Sequence, residues 1–407
     1  MVSKNYFLLI KTADAEKRAW RNLAAERQAA VVPVLELTRG KKNRGAGKDQ
    51  NGKDLTAEQL HNTPNIYGFE RNYLSAFKLM ADSENFFVDL TREPSLSCKE
   101  IEDIGKSANG YERWTKFVLA AKTDNEGILP TLIVNPSDDE TEQQYVANLR
   151  KQFDTFAKNF KGISYRASVL EDDGFLYDLI ALKGDIAAYE ANGGSFFVFL
   201  DHEYIRPNNG LVHAKRTSQI ISSILKQTPN AKVVSFATSF PKSVTDIGDE
   251  EHGIFRVEEM YLFEELIKVH ENTLYGDYGS INPIRNDEVI ITQGWRPRID
   301  FVSRHEFMQV YYFREKRDVI GTETVMVKGK EKKKNIPAPY SGHYTSVAQD
   351  VCSFAPYYEN LSPSWGNDEV RSAANGKVPS NSPSHWISVR MELHVIQVLK
   401  QLALDPL

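Results

Sequence analysis

The segment SFFVFLDHE, residues 195–203, places five consecutive apolar residues directly before Asp201, His202 and Glu203. A half-buried antiparallel strand alternates apolar and polar residues, whereas a strand that is covered on both faces is apolar throughout. Parallel sheets flanked by helices contain such strands, and their functional side chains lie just beyond the carboxyl ends. The segment therefore predicts a buried parallel strand that ends at a site.

The same pattern recurs along the chain, and segments with helical periodicity separate its occurrences. The eight strand-like runs are residues 5–12, 31–40, 85–93, 129–136, 162–169, 195–203, 232–241 and 272–280. Eight strands alternating with helices are typical of a (β/α)8 TIM-like barrel, which needs roughly 250 residues. An open doubly wound sheet has the same local pattern and is the alternative. We expect the barrel, formed by residues 1–283.

One long insertion interrupts the predicted barrel after its second strand. Residues 39–65 are Gly-rich, basic and without periodicity, and they are too long for an ordinary strand-to-helix loop. They are interpreted either as a solvated insertion or as a lid over the barrel mouth. The stretch GAGKDQNGK within them lacks the Lys-Ser/Thr ending of a phosphate-binding loop.

The remainder of the chain is predicted to form an appended strand group and a final helix. In residues 284–335 the strand-like runs are 287–293, 298–303, 306–317 and 322–329, with a basic hairpin tip over 328–334. We interpret the five lysines of this tip as a solvated hairpin, because aromatic residues are not interleaved with them. Residues 336–384 are polar and predicted to be irregular. Residues 385–407 predict a C-terminal helix that packs on the barrel.

Composition limits the classes of partner. The net charge of −5 over 407 residues is too small to indicate a nucleic-acid or membrane surface, so neither partner is expected. Cys98 and Cys352 are isolated, which favours a reducing compartment. The N-terminal apolar run is too short for a signal peptide or a membrane span. We expect a cytoplasmic protein.

Charged and polar residues end most of the predicted barrel strands. They are Lys11, Glu36, Asp89, Arg166, Asp201, His202, Asp277 and Tyr278. A closed barrel would bring these residues to one mouth, although barrel interiors are mainly apolar and buried charges persist only when they are paired or used.

Three interpretations of the predicted mouth compete. The charges form a structural ion-pair network, or Lys11 and Arg166 bind a small anionic or nucleotide ligand, or the four carboxylates hold a divalent metal that activates water. Because metal-ligand spacing is absent from the sequence, no metal or other cofactor is expected, although a divalent ion is left open. No catalytic residue is identified, and whether the protein is an enzyme is left open.

Several short motifs resemble landmarks of the Beta protein family of phages and bacterial mobile elements. The opening strand, helix and second strand match at Lys11, Glu16, Pro33 and Glu36. The other matching motifs are FFVDL (86–90), FFVFLD ending at Asp201, YGDYGSINP (275–283), WRPRIDFVSRHEFMQVYYFRE (295–315) and the C-terminal Trp386, Arg390 and His394. The resemblance covers nearly the whole chain except residues 39–65 and the basic tip, and it adds Arg298 to the candidate ligand-binding residues.

The resemblance implies a function that the residues alone do not. The family's namesake, from a satellite phage, is understood as the antagonist of a killing protein called Gop. By resemblance we expect a component of an anti-phage defence or toxin–antidote system that binds a ligand or partner segment at the barrel mouth and controls a toxic effector encoded nearby. The alternative is a metal-dependent barrel hydrolase that acts on nucleotides or nucleic acid. The resemblance provides no established catalytic residue.

Overall fold

The computed structural model describes residues 6–170, 174–284, 295–304, 307–327 and 330–407. Eight parallel strands form a closed barrel, in the order β1-β2-β3-β4-β5-β6-β7-β9. They are β1 (Tyr6–Lys11), β2 (Val32–Leu37), β3 (Phe86–Leu90), β4 (Ile128–Leu132), β5 (Gly162–Ser168), β6 (Ser195–Tyr204), β7 (Lys232–Thr238) and β9 (Leu274–Asp277). The barrel closes where β9 pairs with β1, with Tyr6 opposite Tyr275. The predicted (β/α)8 barrel and its eight strands are confirmed, and the open sheet is excluded.

Aromatic rings fill the barrel interior. Phe7, Phe87, Phe197, Phe199 and Phe236 are buried at 1% exposure or less and belong to one cluster. The Phe87 and Phe197 ring centroids are 5.0 Å apart, and those of Phe199 and Phe236 are 5.2 Å apart. Gly276 leaves room for this packing, because a Cβ atom there would lie 2.8 Å from the Phe236 ring. Large rings therefore occupy the positions that branched aliphatic residues fill in most such barrels.

Helices between the strands cover the outside of the barrel. They are α1 (Asp14–Asn22), α2 (Ala25–Ala29), α3 (Ala57–Asn62), α4 (Phe69–Met80), α5 (Lys99–Ile104), α6 (Ala108–Asp124), α7 (Glu142–Ala157), α8 (Gly174–Ala191), α9 (Gly210–Gln227) and α10 (Glu258–Ile267). In α7, for example, Leu149, Phe153 and Phe156 are buried at helical spacing. No helix of the described residues is long and apolar enough to cross a membrane.

The insertion between β2 and β3 has more local structure than its composition predicts. Residues 39–65 contain α3, which begins at a capping box between Thr56 and Gln59. Isolated bridges pair Lys42 with Tyr67 and Lys48 with Asp54. The sequence of this segment has no helical periodicity because its described helix, α3, is short and has no buried residue, so it lacks an apolar stripe. The proposed roles, solvated insertion or lid, stay predictions.

Two antiparallel sheets are appended to the barrel. The first consists of β10 (Arg298–Arg304), β11 (Met308–Arg314) and β8 (His252–Arg256), in the order β10-β11-β8. The second is a two-stranded ribbon of β12 (Val319–Val327) and β13 (Lys330–Pro337). The strands predicted at 298–303, 306–317 and 322–329 are confirmed in their described parts. The run 287–293 lies outside the described residues, and strand β8 was not predicted. The prediction of a hairpin tip over 328–334 is wrong for residues 330–334, which lie in strand β13 and pair with β12.

The prediction of an irregular segment at 336–384 is wrong. Three helices occupy most of it, namely α11 (Tyr340–Ser353), α12 (Ala355–Tyr358) and α13 (Trp365–Ala374). Tyr344, Val347 and Val351 of α11 are buried at helical spacing, but polar residues and the following Pro and Asn residues dominate the composition. A second apolar core lies around Phe301, Tyr311 and Val389. It is enclosed by these three helices, the first appended sheet and the C-terminal helix α14 (Pro383–Gln401).

The barrel interior should tolerate truncation of an aromatic ring poorly. Phe199→Ala is expected to reduce the free energy of unfolding by about 3–5 kcal/mol, because the rings around it cannot close the cavity. The measurement is denaturant unfolding. Phe307→Ala, the same change at a side chain that is 46% exposed, is the control. Equal losses in the two variants would contradict this account of the core.

Candidate functional site

The carboxyl ends of six barrel strands bring charged residues together inside the barrel. In β1, Phe7 and Leu9 face the interior apolar cluster, so strand alternation places Lys11 on the same face. The register sets Lys11 opposite Glu36 and Glu36 opposite Asp89 on β1, β2 and β3. From the other side come Arg166 of β5, Asp201 of β6, and Tyr278 directly after β9. We call these six residues the mouth ring.

Arg166 lies at the centre of the mouth ring and contacts three carboxylates. Its Nη1 donates to Glu36 Oε2 at 2.7 Å and to Asp89 Oδ2 at 3.1 Å. Its Nε donates to Asp201 Oδ2 at 2.8 Å, and its Nη2 lies 2.6 Å from the same oxygen. These contacts confirm that Arg166 and the carboxylates form an ion-pair network.

Tyr278 completes the set of partners around the guanidinium. Arg166 Nη2 donates to the Tyr278 hydroxyl at 3.0 Å, and this hydroxyl lies 2.7 Å from each Asp201 carboxylate oxygen. Arg166 thus makes four hydrogen bonds and one further ion-pair contact with these groups. An anionic ligand would have to displace one of its carboxylates.

Burial and charge act in opposite directions on the two aspartates. Burial raises the pKa of Asp89 above its usual value, and the positive charges of Arg166 and Arg92 only partly offset this. Burial also acts to raise the pKa of Asp201, but the charge of Arg166 and the Tyr278 hydrogen bond outweigh it, so that pKa is lowered. Asp89 is therefore the carboxylate that takes up a proton more readily.

Lys11 lies at the edge of the mouth ring and does not pair with a carboxylate in the described contacts. Its Nζ donates to the carbonyl oxygens of Asn282 at 3.3 Å and Pro283 at 3.0 Å. It also lies 5.4 Å from the centroid of the Tyr278 ring. The chain after β9 is thus attached to the mouth through its backbone.

The geometry does not favour the metal interpretation. Arg166 occupies the centre of the Glu36, Asp89 and Asp201 carboxylates, where a shared cation would bind. Among the described residues, no group of three or more His, Cys, Asp or Glu side chains could hold a metal ion. The fourth predicted carboxylate, Asp277, faces away from the other three.

His202 is not part of the mouth. It follows Asp201 in β6, so its side chain points to the outer face and contacts α9. There its Nδ1 lies 3.2 Å from His213 Nδ1, and its Nε2 lies 3.2 Å from Thr217 Oγ1. Burial lowers the pKa of His202 to about 3, with a smaller effect of His213, so the ring is neutral. The prediction that His202 lies at the barrel mouth is therefore wrong.

Asp277 belongs to a second polar cluster, outside the barrel. Its Oδ2 lies 2.7 Å from His394 Nε2 of α14, and His394 Nδ1 lies 2.8 Å from Ser280 Oγ. Tyr6 and Tyr275 also donate to its carboxylate. Ser, His and Asp in this order form nucleophilic triads in some enzymes, but Ser280 is only 1% exposed. The described contacts link α14 to the barrel through Asp277, His394 and Ser280.

Arg298 lies in the appended sheet, on a third cluster. Its Nε is 3.0 Å from Asp300 Oδ1, and Asp300 Oδ2 accepts a bond of 2.7 Å from Arg390 Nη1 of α14. The Arg390 guanidinium lies 3.6 Å from the centroid of the Phe240 ring, which follows β7. Arg298 therefore helps to hold α14 and is not in the mouth ring.

Sequence reasoning missed the groups that support these clusters. Glu259 of α10 is 3% exposed, and its Oε2 is buried without a hydrogen-bond partner among the described residues. Burial raises its pKa to about 7. Acidic residues in a first helical turn are usually solvated, so the sequence offered no signal here. Arg390 and His394 could have been identified as supporting residues, because they lie one helical turn apart in the C-terminal motif and therefore on the same face of a helix.

Comparisons with known proteins connect this fold to phage biology. The model of the family described as Beta protein matches residues 6–400. Protein beta of Enterobacteria phage P4 is 26% identical over 397 residues, which are 96% of this chain and 92% of the phage protein. No solved structure matches. The matched region extends from β1 through nearly all of α14.

Removal of the central guanidinium should destabilise the barrel in a pH-dependent way. Arg166→Gln is expected to cost about 3–5 kcal/mol, because three buried carboxylates lose their common cation. The folded-state pKa values of Asp89 and Asp201 then rise, because both lose the charge of Arg166. Stability is therefore recovered at low pH and lost as the pH increases. Unfolding at about pH 5 and about pH 8 measures both effects. Arg150→Gln, at an exposed ion pair, is the control, and a similar small loss in both variants would contradict the network.

Glu259 should make the fold less stable as the pH increases through neutrality. Its folded-state pKa of about 7 lies above the ordinary 4.5, so its contribution is present below about pH 4.5 and lost through pH 7. A shift of this size corresponds to about 3 kcal/mol. Glu259→Gln should remove this part of the pH dependence in denaturant unfolding. An unchanged slope between pH 5 and pH 8 would show that Glu259 is ionised in the folded protein.

Proposed function

Because this chain belongs to the Beta protein family, we propose that it is a component of an anti-phage defence or toxin–antidote system. In this proposal the mouth ring binds a segment of a partner and thereby controls a toxic effector encoded nearby. The similarity to Protein beta of phage P4 supports a phage-related role. The observation that supports binding of a partner at this end of the barrel is the cluster of buried charges in the mouth ring.

The argument begins with the energetic cost of the mouth ring. Glu36, Asp89, Arg166 and Asp201 are each at most 5% exposed, and burial of charges costs free energy that ion pairs often do not recover. Well-packed apolar residues in the same layer would frequently give a fold of equal or greater stability. A charged layer at the end of the barrel where ligands bind in this fold therefore indicates a function other than stability.

The charge balance favours a partner segment with a basic side chain over a small anion. Three carboxylates surround one guanidinium, and Lys11 is directed at backbone carbonyls. An anionic ligand must break a bond to Arg166, most easily the one of 3.1 Å to Asp89. A Lys or Arg side chain would instead add positive charge where burial raises the pKa of Asp89. Its binding would lower the pKa of Asp89 and strengthen the ring.

The alternative function, metal-dependent hydrolysis of nucleotides or nucleic acid, lacks a comparable observation. Metal-dependent hydrolysis requires carboxylate oxygens that are available to an ion. In Glu36, Asp89 and Asp201, one carboxylate oxygen of each residue already accepts a hydrogen bond from Arg166. Mg²⁺ or Mn²⁺ binding by calorimetry would restore this alternative.

The proposal predicts that neutral variants of the mouth ring lose activity while they stay folded. Glu36→Gln and Asp89→Asn keep the side-chain shapes but remove the charges that a basic partner segment would contact. We expect each to reduce protection in a phage challenge with the native gene cluster by at least about tenfold, the equivalent of one charge-assisted contact. Co-purification with the products of neighbouring genes should decrease in parallel.

The matched control changes an equally buried carboxylate elsewhere. Asp178 of α8 accepts hydrogen bonds from Tyr145 and Tyr165 on the outside of the barrel. Asp178→Asn should retain both protection and co-purification when its melting temperature matches those of the mouth variants. Full protection by folded Glu36→Gln and Asp89→Asn would refute the role of the mouth ring.

A further inference from the structure

The ribbon of β12 and β13 is exposed on both of its long edges. In the part of the chain that the structure describes, neither strand pairs with a third strand. Val319, Ile320 and Met326 of β12 are 55%, 65% and 66% exposed. Isolated two-stranded ribbons are marginally stable in water, and an unpaired apolar edge is a template for another strand. The ribbon therefore offers a surface for association.

The base of the ribbon is fixed to the body of the protein. Arg317 Nε and Nη2 donate to the Ala338 carbonyl oxygen at 2.9 and 2.7 Å. The same guanidinium lies 3.7 Å from the centroid of the Tyr340 ring at the start of α11. Because the two ends of the ribbon are held in this way, its direction is set before any partner binds.

The two strands differ sharply in charge and in β propensity. Six of the nine residues of β12 are β-branched, and Glu323 is its one charged residue. In contrast, β13 has the sequence KEKKKNIP, with four lysines and one glutamate among its eight residues. Lysines on an edge strand are a common protection against further strand pairing. The open edge of β12 is thus receptive, and the edge of β13 is protected.

We propose that β12 pairs with β12 of a second copy of this chain. The result is a two-fold symmetric intermolecular sheet in the order β13-β12-β12-β13. A two-fold contact uses the same strand of each copy, and β12, with one charged residue against five in β13, is the strand that suits it. The two lysine-rich strands are then three strand spacings apart, about 14 Å, beyond the screening length of about 8 Å at physiological salt. Pairing through β13 would instead place them about 4.8 Å apart.

The contact is small, so the dimer dissociates on dilution. One added strand pair buries less surface than the interfaces of permanent dimers, which bury about 2,000 Å² or more in total. Sedimentation velocity over a wide concentration series should therefore show a mass that increases from monomer to dimer. This inference is independent of the proposed function, because it involves neither the mouth ring nor an effector.

A pair of charge variants separates the edge of β12 from the ribbon as a whole. Thr322→Lys with Thr324→Lys adds positive charge to exposed positions of β12, and we expect the dissociation constant to rise at least about tenfold. Asn335→Lys with Lys333→Arg changes the positions opposite these threonines in β13 and should leave the constant unchanged. Matching circular dichroism spectra and melting curves would establish that both variants are folded.

Three outcomes would overturn the inference. They are a wild-type chain that stays monomeric at every concentration, a dimer that the β12 variant does not weaken, and a dimer that the β13 variant weakens as strongly. If the chain were monomeric and bound duplex DNA with a steep salt dependence, the ribbon would be a nucleic-acid contact and not a dimer contact.

Discussion

The bonds between Arg166 and three carboxylates connect distant parts of the barrel more directly than any other set of polar contacts described here. One guanidinium joins β2, β3, β5 and β6, and through the Tyr278 hydroxyl it reaches the residue after β9. Each partner comes from a different strand, so the network exists only when the barrel is closed. The aromatic layer below excludes water, which strengthens these electrostatic interactions and also raises the cost of leaving any partner unpaired.

The C-terminal helix depends on the same end of the barrel. His394 of α14 contacts Asp277 at the end of β9, and Arg390 stacks on Phe240 after β7 while it pairs with Asp300 of the appended sheet. Asp277 and Tyr278 are adjacent in the chain but face opposite sides of the strand. The backbone of β9 therefore connects the mouth ring on the inside to the support of α14 on the outside.

The sequence predicted the barrel because its strands are apolar on both faces, a property that follows from burial under helices and is visible in one chain. It named all six members of the mouth ring because the strand ends are known once the barrel is assumed. The prediction from sequence failed where the location of a residue depends on which side of its strand the side chain faces. His202 and Asp277 each stand one position from a ring member, and strand alternation sends them outward. The α11–α13 region was missed because short helices with narrow apolar faces resemble loops in composition. Glu259 was missed because acidic residues in the first turn of a helix are usually solvated.

The most direct test of the central claim is the titration of the two mouth aspartates by carboxyl carbon NMR with selective labelling. The account predicts that Asp89 titrates above the ordinary range for aspartate and Asp201 below it, because they share Arg166 unequally. Arg166→Gln should raise the pKa of Asp201 most, since Asp201 loses two contacts to the guanidinium. If both aspartates titrated at the ordinary value in the wild-type protein, the mouth would be solvated and the closed ring of charges would not exist.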